Sequence, residues 1–505
     1  MQLAVLVLTS LLLAPTADET LSPAVRAARH HHRSHQAEIL AEYSELLRIP
    51  NVASDTVNIR RNAEWIRRAL AKRGVETRLL ELDGAPPLIY GELGPRSASR
   101  TLGLYLHYDG QPVDPKSWRH DPWEPVLYSG PAEDGGHRIP FPGPGEVLDP
   151  ECRLYARAAS DDRAPLAALL GALDALQTAE IPLTSRIRLL FEGEEEAGSP
   201  HLGAYFELHR DLLDVSGWLI CDGPVHQSRR PQLVFGVRGI TSLDLTVYGA
   251  RRSLHSGHYG NWAPNPALML AQLLASMKDR DGNVVIEGFH DSVDPLTETE
   301  RRALDAVPRI DAELMHELGL ARTEGGAPYQ ERLLLPSLNV RGLESATVGE
   351  TARNIVPAMA RASLDIRLVQ GNDPAAMLDL VEKHIRKQGY HIVREEPDLD
   401  TRLAHPRIVL VERSEGYPAA RTKMDLPVMQ EIIRAAETVA GSELVLLPTL
   451  GGSLPLYLFT DVLGQPAVIV PIANHDNSQH APDENLRLAN LWYGIELMAA
   501  LLTLP

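Results

Sequence analysis

Thr101-Leu102-Gly103-Leu104-Tyr105-Leu106-His107-Tyr108-Asp109 is a short apolar run that closes on a histidine and an aspartate. An apolar run of this length with a polar end reads as a buried strand. Side chains two residues apart on a strand share a face, so His107 and Asp109 leave its end together. The same design recurs outward along the chain. Arg186–Phe191 is followed by Glu194-Glu195-Glu196, and Gly217–Cys221 is followed by Asp222. Asp161 stands between Leu154-Tyr155-Ala156 and a helix that begins near Ala164. Helical spacing is predicted over about 37–48, 58–73 and 164–178. Helices alternating with apolar strands predict an α/β domain with a mostly parallel sheet flanked by helices. Open sheets of this kind bind ligands outside the carboxyl ends of their strands, where all these polar groups gather.

After Gly239 the pattern changes. Thr241–Val247 alternates as a half-buried strand, Ala267–Met277 has helical spacing, Ser337–Val340 and Ala360–Leu368 read as strands, and Pro374–Lys387 reads as a helix. That order predicts an inserted smaller α+β sandwich domain over 236–421. The α/β domain then occupies 36–235 and 422–505, resuming with a helix to Val439, a strand at Ala467–Val470 and a last helix at about 486–502. The Pro- and Gly-rich stretch Asp121–Pro150 is expected to be a long surface loop bordering the active site.

A length of 505 residues calls for more than one core. With 49 Lys+Arg against 67 Asp+Glu the formal charge is −18, which disfavours a nucleic-acid partner. Cys152 and Cys221 are expected to be free thiols, and neither belongs to a C-x-x-C pair. Leu3–Leu13 is an apolar run before Ala14-Pro15-Thr16-Ala17, so residues 1–17 read as a signal peptide and the mature protein as periplasmic or secreted. A misassigned start would leave it cytoplasmic. No later run suits a membrane span. Arg29-His30-His31-His32-Arg33-Ser34-His35 is expected to be a flexible basic lead-in rather than a metal tract.

Each acidic group alone is commonplace: a lone strand-end aspartate is usually a turn or cap former, and Glu194–Glu196 would pass for a solvated run. Together they face one crevice. Carboxylates crowded there repel and raise one another's pKa unless a cation intervenes. Imidazole and carboxylate donors suit zinc, with manganese or cobalt as alternatives. So many acids point to two divalent ions sharing one bridging carboxylate.

The motifs also resemble those of the M20 metallopeptidases, in their carnosinase-like dipeptidase branch. Leu106-His107-Tyr108-Asp109-Gly110-Gln111-Pro112 is similar to the family's H-x-D motif, Ser160-Asp161-Asp162-Arg163-Ala164-Pro165 to its second motif, and Glu192-Gly193-Glu194-Glu195-Glu196-Ala197-Gly198-Ser199 to its third. Gln479-His480-Ala481-Pro482-Asp483-Glu484 resembles the final ligand motif. The resemblance implies that His107, Asp161 and Asp222 hold one metal, and that Asp161, Glu196 and His480 hold the other. Glu195 would be the general base and Asp109 would orient the His107 ring. His255 would stabilise the oxyanion, often from the partner subunit. Arg367 would grip the substrate carboxylate, with Asn354 and Ser453 assisting. His475 is a rival for the place of His480. Three departures stand out: Ala156-Arg157-Ala158-Ala159 where relatives carry glycines beside the arginine, Arg163 for a lysine, and Asn354 for a threonine.

The resemblance implies hydrolysis of dipeptides or short peptides with a free C-terminal carboxylate by a homodimer. A deacylase of N-acyl amino acids shares the same motifs and stays open. A metal-containing binding protein without turnover is the remote alternative, opposed by the retained Glu195. No G-x-S-x-G elbow or phosphate loop offers another chemistry.

Overall fold

The computed structural model describes residues 21–440 and 443–504, so the apolar run Leu3–Leu13 lies outside the described residues. Thr101–His107 forms a strand along its whole predicted length. It lies near the middle of an eight-stranded sheet, parallel to Arg186–Glu192 on one side and Gly217–Ile220 on the other. Ala467–Ile469 continues the parallel set beside Gly217–Ile220. Farther out, the sheet turns antiparallel through Leu88–Leu93 and Glu76–Leu80. On the other flank, Gln232–Val234 is joined to Ala467–Ile469 by a single antiparallel pair and runs parallel to Val445–Leu447. The three central strands share one direction, so their carboxyl ends at His107, Glu192 and Ile220 open on one edge.

Close strand packing depends on Gly103, where any Cβ would collide with the ring of buried Trp218. The helix Arg163–Thr178 is buried along most of its length and packs on the C-terminal helix Leu488–Leu502. This leaves Asp161 and Asp162 at the helix's N-terminal approach, facing the open edge. A smaller sheet of four strands, in the order Asn485–Arg487, Arg153–Tyr155, Val126–Tyr128 and Arg138–Ile139, joins the chain around residue 155 to its end.

A second, five-stranded sheet has the order Ser337–Glu344, Met359–Leu368, Gly239–Tyr248, Ile408–Arg413 and His391–Val393. All its pairs are antiparallel except the last. The helices Pro266–Ala275 and Pro374–Lys387 pack on it to form a separate core that includes Leu243, Leu245, Leu273, Leu364 and Val381. Burial alternates from Gly239 to Leu245, producing the period-two pattern visible in sequence, and the strand's last residues are all buried. Short helices lie at Glu298–Asp305, Asp311–Glu317 and Tyr329–Leu333.

Two expectations are corrected. Residues 29–35 are not a flexible lead-in: Pro23–Ser34 is a helix, capped by the Ser22 side chain with proline in its first turn. Its Ala24, Val25, Ala28 and His32 are buried against the C-terminal helix and Arg163–Thr178. His32 stacks on Trp492 with ring centroids 5.3 Å apart and lies 2.9 Å from Glu496 Oε1. Arg29 donates to both Glu496 oxygens, at 2.9 and 2.6 Å. The helix sorts the polar tract by face, and a distant glutamate takes up Arg29 and His32 Nε2. Asp121–Pro150 is likewise not all loop, since Val126–Tyr128 and Arg138–Ile139 are strands. Among the described residues no helix is long and apolar enough to cross a membrane.

Burial raises the Glu496 pKa, but the hydrogen bonds from His32 and Arg29 outweigh it and the net position is lowered. A depressed carboxylate contributes stability above its unfolded pKa and loses it as pH falls through the folded value. Glu496→Ala is therefore expected to cost about 2–4 kcal/mol at neutral pH. The loss should be read from urea unfolding and should shrink as the pH is taken below 4. An unchanged urea midpoint would show that the Glu496 contacts with Arg29 and His32 add nothing to the fold.

Candidate metal centre

Asp161 lies between two imidazoles. Its Oδ1 is 3.1 Å from His107 Nε2 and its Oδ2 is 3.1 Å from His480 Nε2. His480 Nε2 is also 3.1 Å from Glu196 Oε2. Asp222 Oδ2 is 4.0 Å from His107 Nε2, and Glu195 Oε2 is 3.9 Å from the same nitrogen. Ligand atoms of Asp161, Glu196 and His480 all lie within 4.8 Å of one another. A second such trio is His107, Asp162 and Asp222, so Asp162 joins the donors in a place the sequence reading had given to Asp161 alone. His475 stands apart: its Nδ1 is 4.0 Å from Asp476 Oδ1.

Loop architecture brings these groups together. Asp109 is fully buried and sits behind both His107 and the glutamate run. Its Oδ1 is 3.3 Å from His107 Nδ1, while its two oxygens accept the backbone N–H groups of Glu195 and Glu196, each at 3.1 Å. One carboxylate thus sets an imidazole and the loop carrying two further acids. Glu194 closes that loop from the far side, accepting from the backbone and ring of His201. At Gly193 a Cβ would strike the Tyr108 hydroxyl, which requires glycine where the loop leaves its strand.

Glu484 does for Asp161 what Asp109 does for His107, and sequence reasoning assigned it no role. Fully buried, it accepts from the backbone N–H groups of Ala158, Ser160 and Asp161 at 2.8–2.9 Å, from Ser160 Oγ at 2.7 Å and from Arg157 Nη1 at 2.8 Å. Its only sequence signal was an acid among ordinary loop residues next to His480. The clamp also bears on the missing glycines, because Ala158 has φ 61°, a left-handed conformation that favours glycine. Arg163, a second of the three departures, faces away from the cluster. It is buried, donating to Leu46 O, Ile49 O and Asn62 Oδ1, and burial lowers its pKa to about 9.

The charges show why such a site suits cations. Burial raises the pKa of Asp222 to about 7, with Asp161 adding to the rise, and raises Glu195 well above the carboxylate range, with Asp222 and Glu196 adding. Asp162 is raised by burial and by Asp222. Burial raises Asp161 too, but its two imidazole partners outweigh that and bring it down. Hydrogen bonding to Asp161 and Glu196 raises His480 to about 10. For His107, burial opposes protonation, yet Asp109 and Asp161 raise it well above its usual value. These groups compete for protons to relieve repulsion, and divalent cations relieve it more completely. Two imidazoles with several carboxylates fit divalent ions of the zinc, manganese and cobalt kind.

Substrate-binding candidates fall into two places. Arg367 Nη1 donates to Ser453 Oγ at 2.8 Å, and Arg367 Nε is 3.6 Å from Asp365. Tyr417, overlooked in the sequence, hydrogen-bonds to Ser453, and burial raises its pKa, with the Glu195 charge adding to the rise. It links that pair electrostatically to the cluster. His255 and Asn354 lie elsewhere. Both are exposed, on the paired strands Leu254–His255 and Ile355–Val356 and their flanks. The Asn354 carbonyl accepts the Ser256 N–H at 3.0 Å.

The profile of Peptidase family M20/M25/M40 matches residues 103–504. A Cys-Gly metallodipeptidase of Schizosaccharomyces pombe is 24% identical over 481 residues, which are 91% of this chain and 94% of the relative. The human Beta-Ala-His dipeptidase is 27% identical over 430 residues, 82% of this chain and 76% of that one. The crystal structure of an M20 family metallo-carboxypeptidase from Sulfolobus solfataricus superposes with a TM-score of 0.72 at 28% identity, covering 92% of this chain and 99% of the other.

Two outcomes follow from this geometry. Groups with raised folded-state pKa values, acids and imidazoles alike, lend stability that is lost as pH rises through those values. Chelator-stripped protein is therefore expected to melt at a lower temperature at pH 8 than at pH 6, and added divalent metal should restore more stability at pH 8. A melting temperature insensitive to both would contradict the crowding described here. Ala158→Gly, in turn, should raise stability by about 1 kcal/mol by relieving the left-handed backbone, measured by urea unfolding of the metal-loaded protein.

Proposed function

Because the chain belongs to Peptidase family M20/M25/M40, we propose that it is a two-metal dipeptidase that hydrolyses dipeptides or short peptides bearing a free C-terminal carboxylate. The observation that carries this reading is Asp161, whose two oxygens each approach a different imidazole, as a carboxylate shared by two cations must. His107, Asp161 and Asp222 would hold one ion, and Asp161, Glu196 and His480 the other, with zinc the first candidate. Asp162 lies close enough to His107 and Asp222 to steady the first set, and its Oδ2 accepts the His107 N–H at 3.2 Å. When bound, the ions supply Lewis acidity toward a water molecule and the scissile carbonyl.

The residues of the chain do the rest. Glu195 takes the proton from the attacking water and returns it to the departing amine. Its raised pKa suits both halves of that task, and the Asp109 carboxylate fixes its position through the Glu195 N–H. Arg367 and Ser453 hold the substrate carboxylate, the guanidinium meeting it in a fork. That anchor restricts the enzyme to short substrates ending near the metal centre. His255 would stabilise the oxyanion and Asn354 would assist binding, both acting on the active site of a partner subunit in a homodimer. Their exposure supports that arrangement. The segment 236–421 would form the lid and dimer surface, and 36–235 with 422–505 the catalytic domain. Export rests on Leu3–Leu13 alone. The names of the relatives support dipeptides over N-acyl amino acids as substrates.

The test combines a substrate panel with one substitution. Chelator-stripped protein resupplied singly with zinc, manganese or cobalt should cleave dipeptides and leave N-acetyl amino acids largely intact. Glu195→Gln should keep its bound metal and lose about 10²–10⁴-fold in kcat. Near-normal turnover by that variant would sink the general-base assignment, and cleavage confined to N-acetyl amino acids would make the enzyme a deacylase.

A further inference from the structure

Arg238 stands at the passage from the large sheet to the small one, between Gly236–Val237 and the strand Gly239–Tyr248. It is 6% exposed, and its Nη2 donates to Leu335 O at 2.8 Å and to Ser337 Oγ at 3.1 Å. Ser337 is the direct cross-strand partner of Arg367, which pairs with Ile240 on its other side. Directly opposed residues of an antiparallel pair share a face, with Cβ atoms about 4.5–5.5 Å apart. The Arg238 guanidinium therefore reaches the face that carries Arg367. Its backbone is tied to the same place, since the Arg238 N–H donates to Gly452 O at 3.2 Å, directly before Ser453.

The charges on this face do not balance. Among the described residues no carboxylate forms an ion pair with Arg238, and its Nε has no partner. Asp365 is the acid that bears on both guanidiniums. It is 6% exposed, its Oδ2 lies 3.6 Å from Arg367 Nε, and its Oδ1 accepts from Asn339 Nδ2 at 2.9 Å. Tyr329, the other group close to Arg238, is a phenol whose pKa burial raises, so it is neutral at physiological pH. Burial and then the positive charge of Arg367 bring the Arg238 pKa down to about 10, with Tyr329 and Asp365 opposing. Arg163 is buried without an ion pair as well, but the charges that bear on it, Glu484 and Asp109 among them, are negative. Two guanidiniums against one carboxylate leave a positive charge over, and a buried charge without a counterion is costly.

We propose that Arg238 is a positioning residue for the substrate's C-terminal carboxylate, supplying beside Arg367 the second positive charge that selects a free carboxylate over a neutral end. The inference rests on the reading that Arg367 and Ser453 hold that carboxylate. Bound there, the carboxylate makes the balance two against two. Arg367 meets it in a fork. Arg238 keeps its bonds to Leu335 O and Ser337 Oγ and acts through its field. Unit charges several ångströms apart at a partly buried site interact strongly enough to change affinity by about tenfold. A neutral C-terminal amide gains nothing from that second charge.

The experiment uses the full metal-restored chain and measures KM and kcat for Ala-Leu beside the inhibition constant of Ala-Leu amide. Arg238→Gln is expected to raise KM for Ala-Leu about tenfold and to keep kcat within about twofold. The inhibition constant of the amide should stay within about twofold, because the amide has no charge to lose. Arg238→Lys keeps the charge and changes the shape, so its KM should remain within about threefold of the wild type. Asp365→Asn removes the opposing acid while leaving the Asn339 contact possible, and should lower KM below the wild-type value. That variant decides the matter independently where Arg238→Gln fails to fold. A purely structural Arg238 would shift the amide as much as the dipeptide and would not be rescued by lysine. Either result, an unchanged KM in Arg238→Gln, or an unchanged or raised KM in Asp365→Asn would overturn the proposal and leave the dipeptidase standing. A wild type that binds Ala-Leu and its amide equally well would instead overturn the Arg367–Ser453 anchor. Cleavage of no dipeptide would overturn the proposed function, and this inference falls with either.

Discussion

Five acidic side chains and two imidazoles converge on a space a few ångströms across at the open edge of the large sheet, and everything nearby is arranged to endure their mutual repulsion. Asp161, Asp162, Glu195, Glu196 and Asp222 would ordinarily separate or protonate. They are instead held by backbone: a helix approach places Asp161 and Asp162, parallel strand ends place His107 and Asp222, and a tight loop places the glutamates. The local cost is met elsewhere in the fold, by the long buried helix Arg163–Thr178 and the cores on both faces of the sheet. Divalent cations turn this repulsion into cohesion, so metal binding and stability are the same physical question in this molecule.

Two buried carboxylates that do not belong to either trio carry the precision. Asp109 reaches one imidazole and two backbone N–H groups, while Glu484 gathers five donors from the loop that ends in Asp161. Each ties together segments far apart in sequence, and each leaves few of its own lone pairs unsatisfied. Supporting carboxylates of this kind fix the orientation of the ligands that bind the ion. They also explain how the chain tolerates Ala158 in a left-handed conformation: its N–H is one of the five donors that Glu484 holds.

The junction between the two sheets governs the other half of the site. Gly236–Val237, Arg238 and the strand from Gly239 lead directly from one body to the next, and Arg367 returns on the adjacent strand opposite Ile240. Ser453 comes from the large body, so the Arg367–Ser453 hydrogen bond spans the two. A substrate carboxylate bound there would touch both bodies at once. His255 and Asn354 are exposed at the paired strands Leu254–His255 and Ile355–Val356 and their flanks.

Periodicity and residue type alone determined much of this protein. The strands at 101–107, 186–192 and 217–220, the helix after Asp161, the two-body texture and the acidic strand ends were all legible, because burial imposes a local pattern on strands and helices. His107, Asp109, Asp161, Glu195, Glu196 and Asp222 were visible for the same reason, each being tied to an element end that sequence can locate. His480, His255, Arg367, Asn354 and Ser453 could be named only by resemblance, since loop and edge residues have no periodicity. The tertiary structure alone decided which acids share a cation space, that Asp162 stands among them, and that Glu484 and Tyr417 take part. It also decided that a histidine-rich lead-in is a packed helix and that Arg238 reaches the face of Arg367. Those facts depend on contacts between segments tens or hundreds of residues apart, and no local pattern of hydrophobicity encodes such distances.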